Sequence, residues 1–169
     1  MTRMQTLTAA LVTATALLLG GCAQTTQAQA INLYQPEWGL DSYEQGMRAY
    51  EHGDVEAAAR YFKDAYTFSD AKAEAMLGIL YLKGEGVFQN AEVARAYAIA
   101  ADQRSDFDAF DYYQQRWNAS NESDSAYLIA WVLANRFSGQ ARTDYEKWIR
   151  LAAEAGHSEA QKDVVKYLN

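Results

Sequence analysis

Few residues of this sequence are of types that do chemistry, and their spacing does not suit catalysis or metal binding. The 169-residue chain has one cysteine, Cys22, and two histidines, His52 and His157. No second histidine or cysteine lies near either histidine at the spacing of a metal site. Each histidine adjoins a glycine that can end a helix, where an imidazole interacts favourably with the helix C-terminus. We therefore predict that both histidines are structural and that the chain has no catalytic residue, metal or cofactor.

Ser69 and Lys72 are the one pair whose spacing is known from nucleophilic catalysis. On a helix, Lys72 would lie one turn from Ser69 and could take its proton. This Ser-x-x-Lys spacing resembles that of penicillin-recognising enzymes, but the Ser-Asp-Asn and Lys-Thr-Gly motifs of such a site are missing from the sequence. Ser69 is also well placed to cap the helix that follows it. The sequence therefore indicates a protein that is not an enzyme, with a penicillin-interacting enzyme as the least favoured alternative.

The stretch from 71 to 104 predicts two antiparallel helices around which the chain is organised. Residues 73–83 place Leu77, Leu80 and Tyr81 on one apolar stripe at helical spacing. Gly78 and the alanines of the second helix remove side-chain volume where the two backbones cross. The second stripe, within 93–102, consists of Val93, Ala96, Tyr97, Ala100 and Ala101.

The same stretch follows the pattern LG-x-x-Y-x-x-G-x-GV-x-x-N, with two alanines after a later tyrosine. Gly84 and Gly86 of this pattern suit positive φ, so they predict a turn after the first helix. The pattern resembles a Sel1-like repeat, a longer relative of the tetratricopeptide repeat. The resemblance implies an all-α fold, a short right-handed α-solenoid of antiparallel helix pairs, that binds other proteins and has no chemistry of its own.

Related spacings occur elsewhere in the chain. Residues 41–69 predict a first helix pair, because Tyr50 and Gly53 precede Tyr81 and Gly84 by the same 31 residues. Residues 144–156 match the second helix of a repeat at an offset of 52, longer than one repeat, so we predict a surplus helix at 106–118, with an eroded repeat as the alternative. Residues 158–168 predict a helix that caps the open end. The positions predicted to be structural in these repeats are Gly46, Gly53, Gly78, Gly84, Gly86, Ala100, Ala101, Ala152, Ala153 and Gly156.

The composition favours helices and argues against nucleic acid as a ligand. Half of the residues are hydrophobic, and the single proline, Pro36, precedes the repeats. The formal net charge of -7 repels nucleic acid phosphates and anionic lipid headgroups. A lone cysteine excludes an intramolecular disulfide. We therefore predict one repeat domain at 41–169 that packing alone holds together, with no nucleic acid partner.

The N-terminus predicts export and a lipid anchor. Arg3 precedes an apolar run from Leu7 to Leu19, which is shorter than the roughly 20 residues that span a bilayer and indicates a signal peptide at 1–21. The residues LGGC that end at Cys22 resemble the lipobox of bacterial lipoproteins, which implies acylation of Cys22. An ordinary cleavable signal, cut near Ala23 or Ala30, is the alternative. Residues 22–40 then predict a flexible tether. Alanine rather than aspartate after Cys22 implies, by the same resemblance, the outer membrane, with the domain facing the periplasm.

The repeat pattern and the lipobox together predict an adaptor for the assembly of envelope proteins. Its partner would be another envelope protein, and it would contact the membrane through the lipid on Cys22. A regulator that docks onto peptidoglycan hydrolases or synthases is the alternative. Side chains on the inner face, formed by the first helix of each pair, would anchor the partner. The candidates are Arg48, Tyr50, Glu74, Tyr81 and Trp131.

Overall fold

A computed structural model describes residues 41–136 and 141–168, so the predicted signal peptide, Cys22 and the tether lie outside the described residues. Within these two ranges the regular structure consists of eight α-helices and no strand, which confirms the all-α prediction. None of these helices combines the length and the apolarity that a membrane span requires. The helices are α1 (Ser42–Glu51), α2 (Val55–Thr67), α3 (Ala71–Lys83), α4 (Ala91–Asp102), α5 (Ala109–Ser120), α6 (Ser123–Asn135), α7 (Ala141–Glu154) and α8 (Ser158–Tyr167).

Short polar side chains determine where most of these helices begin. A helix start leaves backbone N–H groups without partners, and a preceding carboxylate or amide can accept from one of them. In five helices the capping oxygen accepts from the N–H three residues further on. The five caps are Asp41, Asp54, Asp70, Asn90 and Asp108.

One three-residue turn recurs at 52–54, 68–70 and 155–157. In each turn the third residue's N–H donates to the carbonyl five residues earlier, and that third residue caps the next helix. The middle residue has positive φ: 80° at Gly53, 65° at Ser69 and 94° at Gly156. The turn joins α1 to α2, α2 to α3 and α7 to α8, so three helix connections share one geometry.

The recurring turn corrects two expectations. Ser69 does not cap α3, because it occupies the middle position of its turn, and Asp70 is the cap. The imidazole of His157 does not cap the C-terminus of α7. Its Nδ1 accepts from the N–H of Ala160 at 3.1 Å, so it caps the start of α8. His52 does lie at a helix C-terminus, with Nδ1 donating to the carbonyl of Arg48 at 2.7 Å.

Ser69 is the one middle residue of these turns that has a side chain, and replacing it should stabilise the domain. Positive φ costs a residue with a Cβ roughly 1–2 kcal/mol, and glycine avoids this cost at some loss of unfolded-state entropy. We expect Ser69→Gly to raise the free energy of unfolding by about 0.5–1 kcal/mol in urea denaturation. Ser69→Ala keeps the Cβ and should change it by less than about 0.5 kcal/mol. A less stable glycine variant would contradict the turn geometry.

Helix α3 is buried on all sides, with every residue from 73 to 80 removed from solvent. Gly78 permits a close approach of two neighbouring helices to α3. A Cβ at this position would lie 3.2 Å from the carbonyl oxygen of Ala94 and 3.0 Å from the hydroxyl of Tyr113. Gly78 thus lets both α4 and α5 pack directly on α3, as the sequence predicted for α4.

The face that α4 presents to the core differs from the predicted stripe. Its fully buried residues are Ala94, Ala98 and Ala101. Ala101 belonged to the prediction, but Ala96 is exposed and Ala100 is only partly buried. The buried face of α4 lies nearer to Ala94 and Ala98 than predicted, because α4 packs against α6 as well as α3.

The other predicted structural positions lie at close contacts or at a helix end. Gly46 is buried, and the ring of Phe62 occupies the space that a Cβ would need, at 2.6 Å. Gly84 ends α3 in the left-handed conformation. Ala152 is fully buried and Ala153 partly.

Helix α5, at 109–120, covers most of the range in which the surplus helix was predicted. Lys83 at the end of α3 binds Glu122 at the beginning of α6, so these two helices run antiparallel. Arg95 and Asp102 of α4 contact Tyr127 and Arg136 in the same order, so α4 and α6 run parallel. Helix α6 therefore does not repeat the orientation of α3, and the offset of 52 does not relate equivalent positions.

Candidate interaction surfaces

The predicted partner-binding residues lie on three helices, α1, α3 and α6. Arg48 is exposed on α1. The Tyr50 hydroxyl accepts from Lys83 at 3.0 Å, and the Tyr81 ring stacks on Tyr97 with centroids 5.5 Å apart. Trp131 is half-buried, with the guanidinium of Arg95 over its ring at 4.2 Å.

Glu74 is wrong as a partner-binding residue. Its side chain is 0 % exposed, and both carboxylate oxygens accept from Arg104, with Nε to Oε2 at 3.1 Å. A buried carboxylate needs such a partner to remain charged. Glu74 therefore joins α3 to the segment after α4 and cannot contact another protein.

The inner face predicted for partner binding is occupied by the chain's own helix α5. Tyr113 of α5 is fully buried, and its hydroxyl donates to the carbonyl of Ala75 at 3.0 Å. Arg116 lies one turn further and contacts the sulfur of Met76 at 3.7 Å. Because α5 covers this side of α3, a partner cannot bind α3 here, whereas Arg48 on α1 is exposed.

A charged cluster ties α1, α3, α5 and α6 together. Glu122, which precedes α6, accepts from Lys83 at 2.9 Å and from Arg116 Nε at 2.9 Å. The hydroxyl of Ser125 donates to it at 2.7 Å, and Lys83 also binds Tyr50. Burial alone would raise the pKa of Glu122, but the hydrogen bonds from Arg116 and Lys83 outweigh it and lower the pKa from 4.5 to about 2. This cluster is structural, because its donors and acceptors are used within the domain.

A cleft of about 510 Å³ lies where α4, α6 and α8 begin. Arg95 borders it and is held by Tyr127 at 2.7 Å from Nε and by Asp163 at 3.4 Å. Its polar lining consists of Lys83, Gln89, Glu92, Arg95, Ser123, Asp124, His157, Ser158 and Glu159.

The cleft contains serine, histidine and aspartate, but the histidine is not free to act as a base. Nδ1 of His157 accepts from a backbone N–H, and Nε2 lies 3.3 Å from Asp124. No ring nitrogen is left to take a proton from Ser123 or Ser158. Lys72, the other candidate base, has its ammonium 5.7 Å from the ring centroid of Tyr43. Across 41–136 and 141–168, no three His, Cys, Asp or Glu side chains gather at metal-binding distance.

Two exposed aromatic residues, Tyr66 and Phe68, lie at the end of α2 and directly after it, and the sequence analysis missed them. Tyr66 is 42 % exposed and packs edge-on against Tyr97 at 5.6 Å, and Phe68 is 83 % exposed. Arg60 and Lys63 precede them on the exposed side of α2. Arg60, Lys63 and Tyr66 recur every three residues along α2, which was the available signal, and Phe68 follows the end of the helix.

No family model matches the sequence, and comparison with curated proteins and with solved structures also finds no match. The Sel1-like resemblance therefore stays a prediction from the residues that carry it.

Proposed function

We propose that this protein is an adaptor that binds another envelope protein through a short Sel1-like solenoid anchored to the outer membrane by a lipid on Cys22. The observation that carries the proposal is the turn that recurs at 52–54, 68–70 and 155–157 with the same hydrogen bonds and the same cap position. Repeated helix connections of one geometry are typical of repeat proteins, which use their extended surfaces for binding.

In this proposal the solenoid has two parts. Helices α1 to α4 are two antiparallel pairs of the right-handed array, and α6 to α8 form a second part of opposite direction, since α3 and α6 run antiparallel. Helix α5 joins the parts and fills the inner face. The outward positions of α8 carry Gln161, Lys162 and Lys166 together with the exposed Val165, so its outer side is mostly polar, as in a terminal cap.

The lipid anchor is tested by Cys22→Ser. Acyl chains on the cysteine hold the protein at the membrane, so we expect the variant to move from the membrane fraction to the soluble fraction while its helical circular dichroism is unchanged. Chemical crosslinking in cells, followed by mass spectrometry, should give discrete envelope-protein neighbours for the wild type and few for the variant. Retention of the variant at the membrane would refute the anchor, and a wild type without protein neighbours would refute the adaptor.

A further inference from the structure

Phe88 is the most exposed large apolar side chain in 41–136 and 141–168, with 97 % of it open to solvent. It lies in the loop 84–90, which joins α3 to α4. The preceding residue, Val87, packs against the core, whereas the ring of Phe88 has almost no contact with the domain. A phenylalanine stabilises a fold by leaving water, so Phe88 contributes little to holding this one together.

The loop is fixed to the domain on both sides of Phe88. Before it, Gly86 packs so closely on the first turn of α2 that a Cβ would lie 2.1 Å from a carbonyl oxygen there. After it, Nε2 of Gln89 and the N–H of Asn90 donate to two carbonyls near the end of α3, at 2.6 and 2.8 Å. A side chain that is already held in place loses less entropy when a partner binds it. The loop thus presents the ring of Phe88 in a form suited to binding.

Four carboxylates lie in this loop or against it. Glu85 belongs to the loop, and Glu92 lies in the first turn of α4 directly after it. The contact of Gly86 with α2 also brings the loop against the start of that helix, where Asp54 is the cap and Glu56 lies in the first turn. Negative charge therefore surrounds the exposed ring.

Cations do not balance these carboxylates. Lys83, before the loop, and Arg95, after it, are each paired with a carboxylate elsewhere in the domain, at 2.9 and 3.4 Å. Arg60 lies one turn beyond Glu56 on α2 and offsets one of the four charges. The surroundings of Phe88 are therefore net negative, so they repel an anionic lipid surface or an acidic protein.

We propose that Phe88 is the anchor by which this protein docks, and that it inserts into an apolar pocket of the partner protein whose rim carries lysine or arginine. The ring fills the pocket, and the cations of the rim face Glu56, Glu85 and Glu92. A buried aromatic side chain surrounded by a polar rim is the common arrangement of a binding hot spot. The inference rests on the proposed adaptor function and names the residue through which the adaptor binds.

Phe88→Ala in the full-length protein tests the anchor. We expect the yield of protein neighbours that are chemically crosslinked in cells to fall about tenfold or more. The urea midpoint and the membrane fraction should stay as in the wild type, because the ring has almost no contact with the domain. Phe68→Ala is the matched control, since it removes an 83 % exposed phenylalanine that follows α2, and it should leave the yield intact.

Site-specific photocrosslinking identifies what covers the ring. A photoreactive phenylalanine analogue replaces Phe88, and Phe68 or Val165 at control sites. We expect a discrete adduct from 88 to a partner peptide that carries apolar and basic residues.

Charge reversal tests the rim of the pocket. Glu56→Lys with Glu92→Lys should reduce the adduct from 88 about tenfold or more, because like charges then face each other. Glu44→Lys with Asp111→Lys changes the net charge equally and should leave the adduct intact. All four of these residues are exposed and lie in the first turn of a helix, so the two variants differ in place alone.

The outcomes separate the two proposals. Equal yields of neighbours from Phe88→Ala and Phe68→Ala overturn the anchor, as does an adduct from 88 that maps to lipid or to a second copy of this chain. An adduct from 88 that survives reversal of Glu56 and Glu92 overturns the basic rim and with it the inference. Adducts from 68 or 165 but not from 88 overturn the anchor and leave the adaptor standing. If no site gives an adduct, the anchor is overturned, and the adaptor falls with it where chemical crosslinking of the wild type also gives no protein neighbour.

Discussion

Gly86→Ala is expected to lower the free energy of unfolding by about 3 kcal/mol or more, a large part of the 5–15 kcal/mol typical of a domain. Gly86 has a φ of 66°, and a Cβ there would lie 2.1 Å from the carbonyl oxygen of Val55 and 2.7 Å from its carbonyl carbon. Both atoms belong to the first turn of α2, so no side chain can rotate away. The loop between α3 and α4 would have to leave α2. Urea denaturation measures the loss.

Gly53→Ala is the matched control for this prediction. Gly53 has a φ of 80°, yet no atom lies within 4 Å of its added Cβ. Only the conformational strain remains, about 1–2 kcal/mol. The difference between the two variants therefore isolates the contact of Gly86 with α2. Equal losses of stability would contradict the direct packing of the loop on that helix.

Residue types could predict the ends of the helices because end effects are local. A carboxylate or amide three residues before a free N–H caps a helix wherever the rest of the chain goes. The buried face of α4 could not be predicted in the same way. Alanines occupy 91, 94, 96, 98, 100 and 101, so several faces of this helix are equally small. Contacts with α3 and α6, made far along the chain, decide which face is buried.

Burial of Glu74 and the direction of α6 also depend on distant parts of the chain. A glutamate in the first turn of a helix usually faces solvent, and Glu74 is buried because Arg104 reaches it from 30 residues away. The offset of 52 residues predicted an additional helix, but a residue offset carries no information on direction, so the antiparallel orientation of α6 relative to α3 could not be predicted from it.

Glu122→Gln is expected to lower the free energy of unfolding by about 3 kcal/mol at pH 7, because it leaves Lys83 and Arg116 without their shared counter-charge. Both cations are about three-quarters buried, with 25 % and 24 % of their side chains exposed. The control is Glu159→Gln, which breaks an ion pair with a 70 % exposed lysine and should change stability by less than about 0.5 kcal/mol. Equal effects of the two substitutions would show that the cluster does not hold the four helices together.

The pH dependence gives a second readout of the same cluster. The pKa of Glu122 is about 2 in the folded protein and 4.5 ordinarily, so the unfolded chain takes up this proton first as the pH falls. The stabilisation is therefore complete above about pH 5 and is lost between pH 4.5 and pH 2, amounting to about 3 kcal/mol. The Glu122→Gln variant has no carboxylate at this position to take up a proton. The difference in the free energy of unfolding between wild type and variant should therefore narrow across this range. Urea denaturation of both proteins at pH 7, 4 and 3 measures the gap, and a gap that stays constant would mean that Lys83 and Arg116 do not hold Glu122 ionised.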